Sequence, residues 1–102
     1  GRAHFGRAFI RFIHRQYEPA LADATQSIAI EPRPAGAYAL RGLIEHAMGR
    51  RAAARRDFNA ALSRNPQSGL ARAGLRALNA GRPPFRPRQF QRRTPDGREG
   101  SI

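Results

Sequence analysis

AYALRGLIEHAMGRRAAARRDFNAALSRNP, residues 37–66, is the stretch whose reading decides the fold. Gly49 falls near its middle, where glycine allows the left-handed turn that follows a helix C-terminus. Asn65-Pro66 stops whatever helix follows, because the residue before a proline is pushed out of helical conformation. Two helices fit between these marks, near residues 35–48 and 51–63. Across the whole chain Ala dominates, β-branched residues are scarce, and no run alternates apolar with polar over a strand's length. That composition leans helical.

Displacing the sequence by 34 residues lays it on itself. Arg7 falls on Arg41, Ala8 on Gly42, Ala20 on Ala54, Asp23 on Asp57, Ser27 on Ala61, Ile28 on Leu62 and Pro32 on Pro66. Small residues meet small ones and the prolines coincide, so the chain is a repeat with units near 1–34 and 35–68. The first unit then holds helices near 3–14 and 18–30. Pro19 stands where a first-turn proline is tolerated, since its missing N–H would be unpaired anyway. Pro32 and Pro34 end the second helix. A fifth helix, near 67–80, aligns with the first helix of a unit through Ala71, Ala73, Leu75 and Ala77. No second helix follows it, so it reads as a cap on the exposed core.

These residues resemble the tetratricopeptide repeat family. The second unit carries Tyr38, Gly42, Gly49, Ala54, Phe58, Ala61 and Pro66 where that family places its aromatic, small and proline signature residues. The first, in QYEPALADATQSIAIEP, keeps Tyr17, Ala20, Ser27 and Pro32, but has His4 where an aromatic is usual and Arg11 where a large side chain is usual. The resemblance covers roughly residues 1–80. It implies an all-α solenoid of antiparallel helix-turn-helix repeats, about two units plus the capping helix 67–80. Close crossings should then be made by Ala8 and Gly42 against Ala20 and Ala54, with Tyr17, Phe58, Ile28 and Leu62 filling the space. The chain starts at once in helical register, which reads as a piece of a longer array.

Past Gly81 the composition shifts. The segment 81–102, RPPFRPRQFQRRTPDGREGSI after its glycine, holds four prolines and only scattered apolar residues. It cannot bury enough surface to order itself, and reads as a basic, extended or disordered tail.

The chain has 102 residues and a formal net charge of +12, from 19 basic residues that are all Arg against 7 Asp plus Glu. Arginine presents a planar fork of donors that suits carboxylate and phosphate, so an acidic protein or a nucleic acid is a plausible partner. An Arg-heavy coding bias with a solvated basic face explains the same numbers. No cysteine is present, which excludes disulfides, thiolate metal sites and Cys nucleophiles. No apolar run approaches the ~18–20 residues that span a bilayer. Arg7 and Arg11 interrupt the opening GRAHFGRAFIRFIHR, which is basic and apolar like a targeting signal but reads as mature structure. With neither an export signal nor a span seen, the expectation is a cytoplasmic protein.

For function, the resemblance implies that the first helix of each unit lines a concave face that holds extended peptides. Phe5, Phe9 and Phe12 would form one stripe there, at i, i+4, i+7. Ala39, Leu43 and His46 would follow from the third helix and Leu70, Ala73 and Ala77 from the fifth. The Lys, Arg and Asn with which some family members clamp a C-terminal carboxylate are absent from the matching positions. An apolar groove for an amphipathic helix or an apolar extended segment is what remains. The plainer reading of the Phe stripe is core covered by neighbouring chain. A second copy of the chain is a further way of covering it.

Basic residues form two groups. Arg50, Arg51, Arg55, Arg56 and Arg64 belong to the fourth helix and its entry. Arg82, Arg86, Arg88, Arg92 and Arg93 lie in the tail, interleaved with Phe85 and Phe90. Such a segment could contact nucleic acid by phosphate pairing and base stacking, bind an acidic protein, or serve only solubility and linkage. Asp23 and Asp57 recur beside small core residues and should pair with Arg of the stack. The His residues lack metal spacing, the Ser residues lack a nucleophile elbow, and no Gly-rich phosphate loop occurs. The expectation is therefore a non-catalytic protein–protein interaction module without cofactor or metal, and the alternative is a basic factor associated with nucleic acid or ribonucleoprotein.

Overall fold

A computed structural model of the chain describes residues 2–81. Five helices follow one another: α1 (Arg2–Ile13), α2 (Tyr17–Ile30), α3 (Ala35–Ala47), α4 (Arg51–Arg64) and α5 (Gly69–Asn79). Among the described residues there is no strand. Each helix packs on its chain neighbours, and α3 also touches α1 and α5. The result is two helical hairpins and a closing helix in one all-α stack. The largest departure from the expected spans is at α5, which opens at Gly69 rather than residue 67. Ser68 sets that start, because its Oγ accepts the Ala71 N–H at 3.2 Å and caps the helix.

The turns explain why the register is 34 with no slippage. After α3, the Arg50 N–H donates to the Glu45 carbonyl at 2.8 Å and the Gly49 N–H to that of His46 at 3.1 Å. This is the paired bond that closes a helix through a left-handed residue, here Gly49 at φ 84°. After α1 the same bonds run from Gln16 to Arg11 (2.8 Å) and from Arg15 to Phe12 (3.0 Å). The left-handed residue there is Arg15, at φ 63°. Both second helices then start alike, with Gln16 at φ −91°, ψ 73° and Arg50 at φ −91°, ψ 75°. They also end alike, in the extended residues Glu31 and Asn65 that precede Pro32 and Pro66.

Two apolar clusters fill the stack. Ala8, Phe12, Ala20, Ala24, Leu40 and Ile44 form the first, and Tyr38, Ala39, Ala54, Phe58, Ala61, Ala71 and Leu78 the second. Leu43 packs against both. The expected close crossings are present, since Ala8, Ala20 and Ala54 are fully buried. The closest approach is made by Phe58, whose ring lies between two glycines. A Cβ on Gly42 would stand 2.7 Å from Phe58 Cδ1, and one on Gly74 would overlap the ring more deeply. The first unit solves the same space differently, with Ala8, Ala24 and Leu40 at the corresponding positions. The bulky side chain is thus Phe58 on α4 at one junction and Leu40 on α3 at the other.

α5 closes the stack. Where α3 carries buried Tyr38, Gly42 and Glu45, α5 carries Arg72, Arg76 and Asn79, all exposed. A polar outer face of this kind is what a terminal repeat element needs to remain in water. No helix among the described residues is long and apolar enough to cross a membrane.

Candidate functional site

The three first helices α1, α3 and α5 stand side by side, so residues 34 apart form rows across them. One row is Phe9, Leu43 and Ala77, and the next is Phe5, Ala39 and Ala73. Phe5, Phe9, Leu70 and Ala73 are exposed, and Leu43 and Ala77 half-buried. The Phe5 ring leans toward α3, where a Cβ on Gly36 would lie 3.7 Å from its Cζ. The two rows are thus aromatic at α1 and dwindle to alanine at α5, where exposed Leu70 stands beside them.

Three of the expected groove residues lie instead in the interior. Phe12 is 1% exposed and belongs to the first cluster. The turn after α1 brings Tyr17 against it, the two rings 6.0 Å apart and tilted by 47°. Ala39 is buried in the second cluster, and His46 is buried with its Nε2 unpartnered. Burial, and secondarily the charge of Arg51, lowers the His46 imidazole from its ordinary value, so it is neutral at pH 7.

Two ion clusters recur in register between the first and second helix of each unit. The Arg7 guanidinium donates through Nε and Nη2 to the two Asp23 oxygens at 3.0 Å each, and Arg11 adds a third bond at 2.9 Å. Arg41 grips Asp57 in the same way, at 2.7 and 2.9 Å. The expected Arg partners of Asp23 and Asp57 are therefore found, as bidentate pairs. The hydrogen bond from Arg7 holds the Asp23 carboxyl below its usual range. In the second unit Glu45 takes the place of Arg11, which puts a second acid beside Asp57. Burial, and next the Asp57 carboxylate, push the Glu45 carboxyl up to about 8. Arg41 Nε lies 3.9 Å from Glu45, but that guanidinium is already committed to Asp57. Glu45 is thus mostly protonated at neutral pH. Neither sequence periodicity nor charge count had singled it out. The signal was available in the i, i+4 spacing of Arg41 and Glu45 on a helix whose partner carries Asp57.

The basic residues of α4 do several different things. Arg51 donates to the Leu78 carbonyl at 2.8 Å and Arg55 to Asn79 Oδ1 at 3.1 Å, so both fasten the closing helix. Arg64 lies over the Tyr38 ring at 4.1 Å and donates to the Pro32 carbonyl. Arg50 faces Glu18 at 3.5 Å, and Arg56 is exposed. Arg82, Arg86, Arg88, Arg92 and Arg93, with Phe85 and Phe90, lie outside the described residues. Among the described residues no group of three or more His, Asp or Glu could hold a metal ion.

Stacked helical hairpins, small-residue crossings and a polar closing helix define a helical-repeat protein whose distinguishing surface is apolar. A profile of the tetratricopeptide repeat family matches residues 10–80. The chain belongs to that family, whose repeats generally mediate protein–protein interaction and are typically non-catalytic. Comparison with curated proteins and with solved structures found no match.

Proposed function

We propose that the chain is an interaction module that takes an apolar peptide or amphipathic helix across the rows formed by α1, α3 and α5. The observation that carries this is the exposure of Phe5, Phe9 and Leu70 on the first helices, continuous through half-buried Leu43 and Ala77. Large apolar patches on a small protein mark binding surfaces. The arginines nearest this stack are spent on structural pairs, since Arg7, Arg41, Arg51 and Arg55 each hold a partner within the protein. Such pairing favours apolar contact over phosphate contact as the source of affinity.

Panning a random peptide library on the full chain tests the reading. Apolar-rich peptides should be recovered, Leu70→Asp should weaken them by about tenfold or more, and added salt should change little. If the only ligands found are nucleic acids, whose affinity falls with a log–log slope near −0.7 to −0.9 per contacted phosphate, the reading fails.

A further inference from the structure

The closing helix departs from α3 at the residues that would take a second helix. On α3, Tyr38, Gly42 and Glu45 are buried, and the Phe58 ring of α4 lies against Gly42. The same positions on α5 are Arg72, Arg76 and Asn79, at i, i+4 and i+7, which makes them one exposed stripe. To this side α4 adds Arg55, which donates to Asn79 Oδ1 at 3.1 Å and stands where the first unit has half-buried Leu21. Arg76 puts a long side chain where Gly42 leaves room for a ring, so a helix cannot seat on α5 as closely as α4 does on α3. Among the described residues Arg72 and Arg76 have no partner, unlike Arg7 and Arg41.

Charge is segregated along the chain in the same sense. Residues 1–57 hold five of the seven acids, whereas residues 58–95 hold eight Arg and no acid. A coding preference for Arg explains why none of them is Lys, but not why the acids stop at Asp57. The chain after Gly81 adds Arg82, Arg86 and Arg88 and no acid before Asp96, so it does not neutralise the stripe.

We propose that the outer face of α5, with the Arg- and Phe-bearing sequence that follows it, binds single-stranded nucleic acid. Two features choose this ligand over an acidic protein. The face offers Arg55, Arg72, Arg76 and Asn79 and no exposed large apolar side chain, because Leu70 lies on the groove side of the helix. The buried centre of a protein–protein interface is depleted of charge, whereas nucleic-acid interfaces are more polar and far more positive. Next, Phe85 and Phe90 stand between Arg82, Arg86, Arg88 and Arg92 in the sequence. That alternation of ring and cation suits bases and the phosphates between them. The strand is single because stacking on a side chain requires an unpaired base.

This face is separate from the apolar rows, and the full chain tests it directly. The probes are oligo-U and oligo-dT of about 20 nucleotides, longer than common single-strand site sizes. An oligo-dT duplex with its complement and an oligo-glutamate of equal length serve as competitors. Anisotropy is read over a range of salt, and circular dichroism confirms that each variant folds. Either single strand should bind with a log–log salt slope of about −3 to −5, from about four to seven phosphates at near −0.7 each. Arg72→Gln with Arg76→Gln keeps good helix formers on an exposed face and should make that slope shallower by about 1.4, the share of two contacts. Phe85→Ala with Phe90→Ala should weaken binding about tenfold at every salt concentration and leave the slope unchanged. Arg33→Gln, exposed between α2 and α3, should change neither. Binding of one strand or both supports the proposal, and the tighter of the two says whether RNA or DNA is the source. No binding, a slope indifferent to Arg72 and Arg76, or duplex bound as tightly as single strand overturns it. So does oligo-glutamate bound as tightly, which would make the partner an acidic protein.

Discussion

At the scale of single residues, two positions depart from what their unit requires. Arg15 sits in left-handed conformation at φ 63°, where Gly49 sits in the second unit. Side chains with a Cβ are strained there by ~1 kcal/mol or somewhat more. Arg15→Gly should therefore raise stability by about 0.5–1 kcal/mol, visible as a higher Tm by circular dichroism, and Gly49→Arg should lower it by a similar amount. Glu45 is the other. Its carboxyl titrates near 8 in the folded chain and near 4.5 when exposed. Between those values the unfolded state gives up the proton and the folded state keeps it, so stability falls as pH rises across the window and levels off above it. The chain has no Lys and no Cys, which leaves few other side chains to titrate between pH 7 and 9. We expect Tm to drop between pH 6.5 and 9 by the equivalent of about 1–2 kcal/mol, and Glu45→Gln to flatten the profile. A flat wild-type profile would mean Glu45 is ionised throughout.

Among elements, the crossing of α3, α4 and α5 rests on Phe58 between Gly42 and Gly74. Gly74→Ala should cost ~1–3 kcal/mol, because the new methyl has to displace the ring. Phe58→Ala should cost ~3–5 kcal/mol through the cavity it leaves. Adding Gly74→Leu to it rebuilds the Ala24 and Leu40 arrangement of the first unit and should restore ~1–2 kcal/mol in denaturant melts. If the second change adds nothing, the two units do not share one packing geometry. The helices themselves were legible in the sequence because their punctuation is chemical: Gly49, Pro32 and Asn65-Pro66 each dictate a backbone state. The ends of α5 were less so, since Ser68 had to be recognised as a cap rather than as part of a helix. The groove was legible only in part. Helical spacing put Phe5, Phe9 and Phe12 on one stripe, but spacing does not show where the next helix begins, and Tyr17 at the start of α2 covers Phe12.

For the molecule as a whole, identical turns and a constant period invite the idea that units can be copied in and out freely. The volumes at the junctions argue otherwise. Ala24 of the first unit accepts Leu40 from its successor, whereas Phe58 of the second accepts only Gly74. Inserting a second copy of residues 35–68 after Ser68 would bring Phe58 against the inserted copy's Leu40, and the longer chain should melt below the parent or lose cooperativity. Leu40→Gly made only in the inserted copy should return it to a single transition at or above the parent Tm, as added repeats with sound interfaces normally stabilise an array. Order along the stack is thus written in side-chain size, in the manner of a keyed connector: each unit admits one kind of successor, and a lineage of such chains could lengthen only by altering lock and key together.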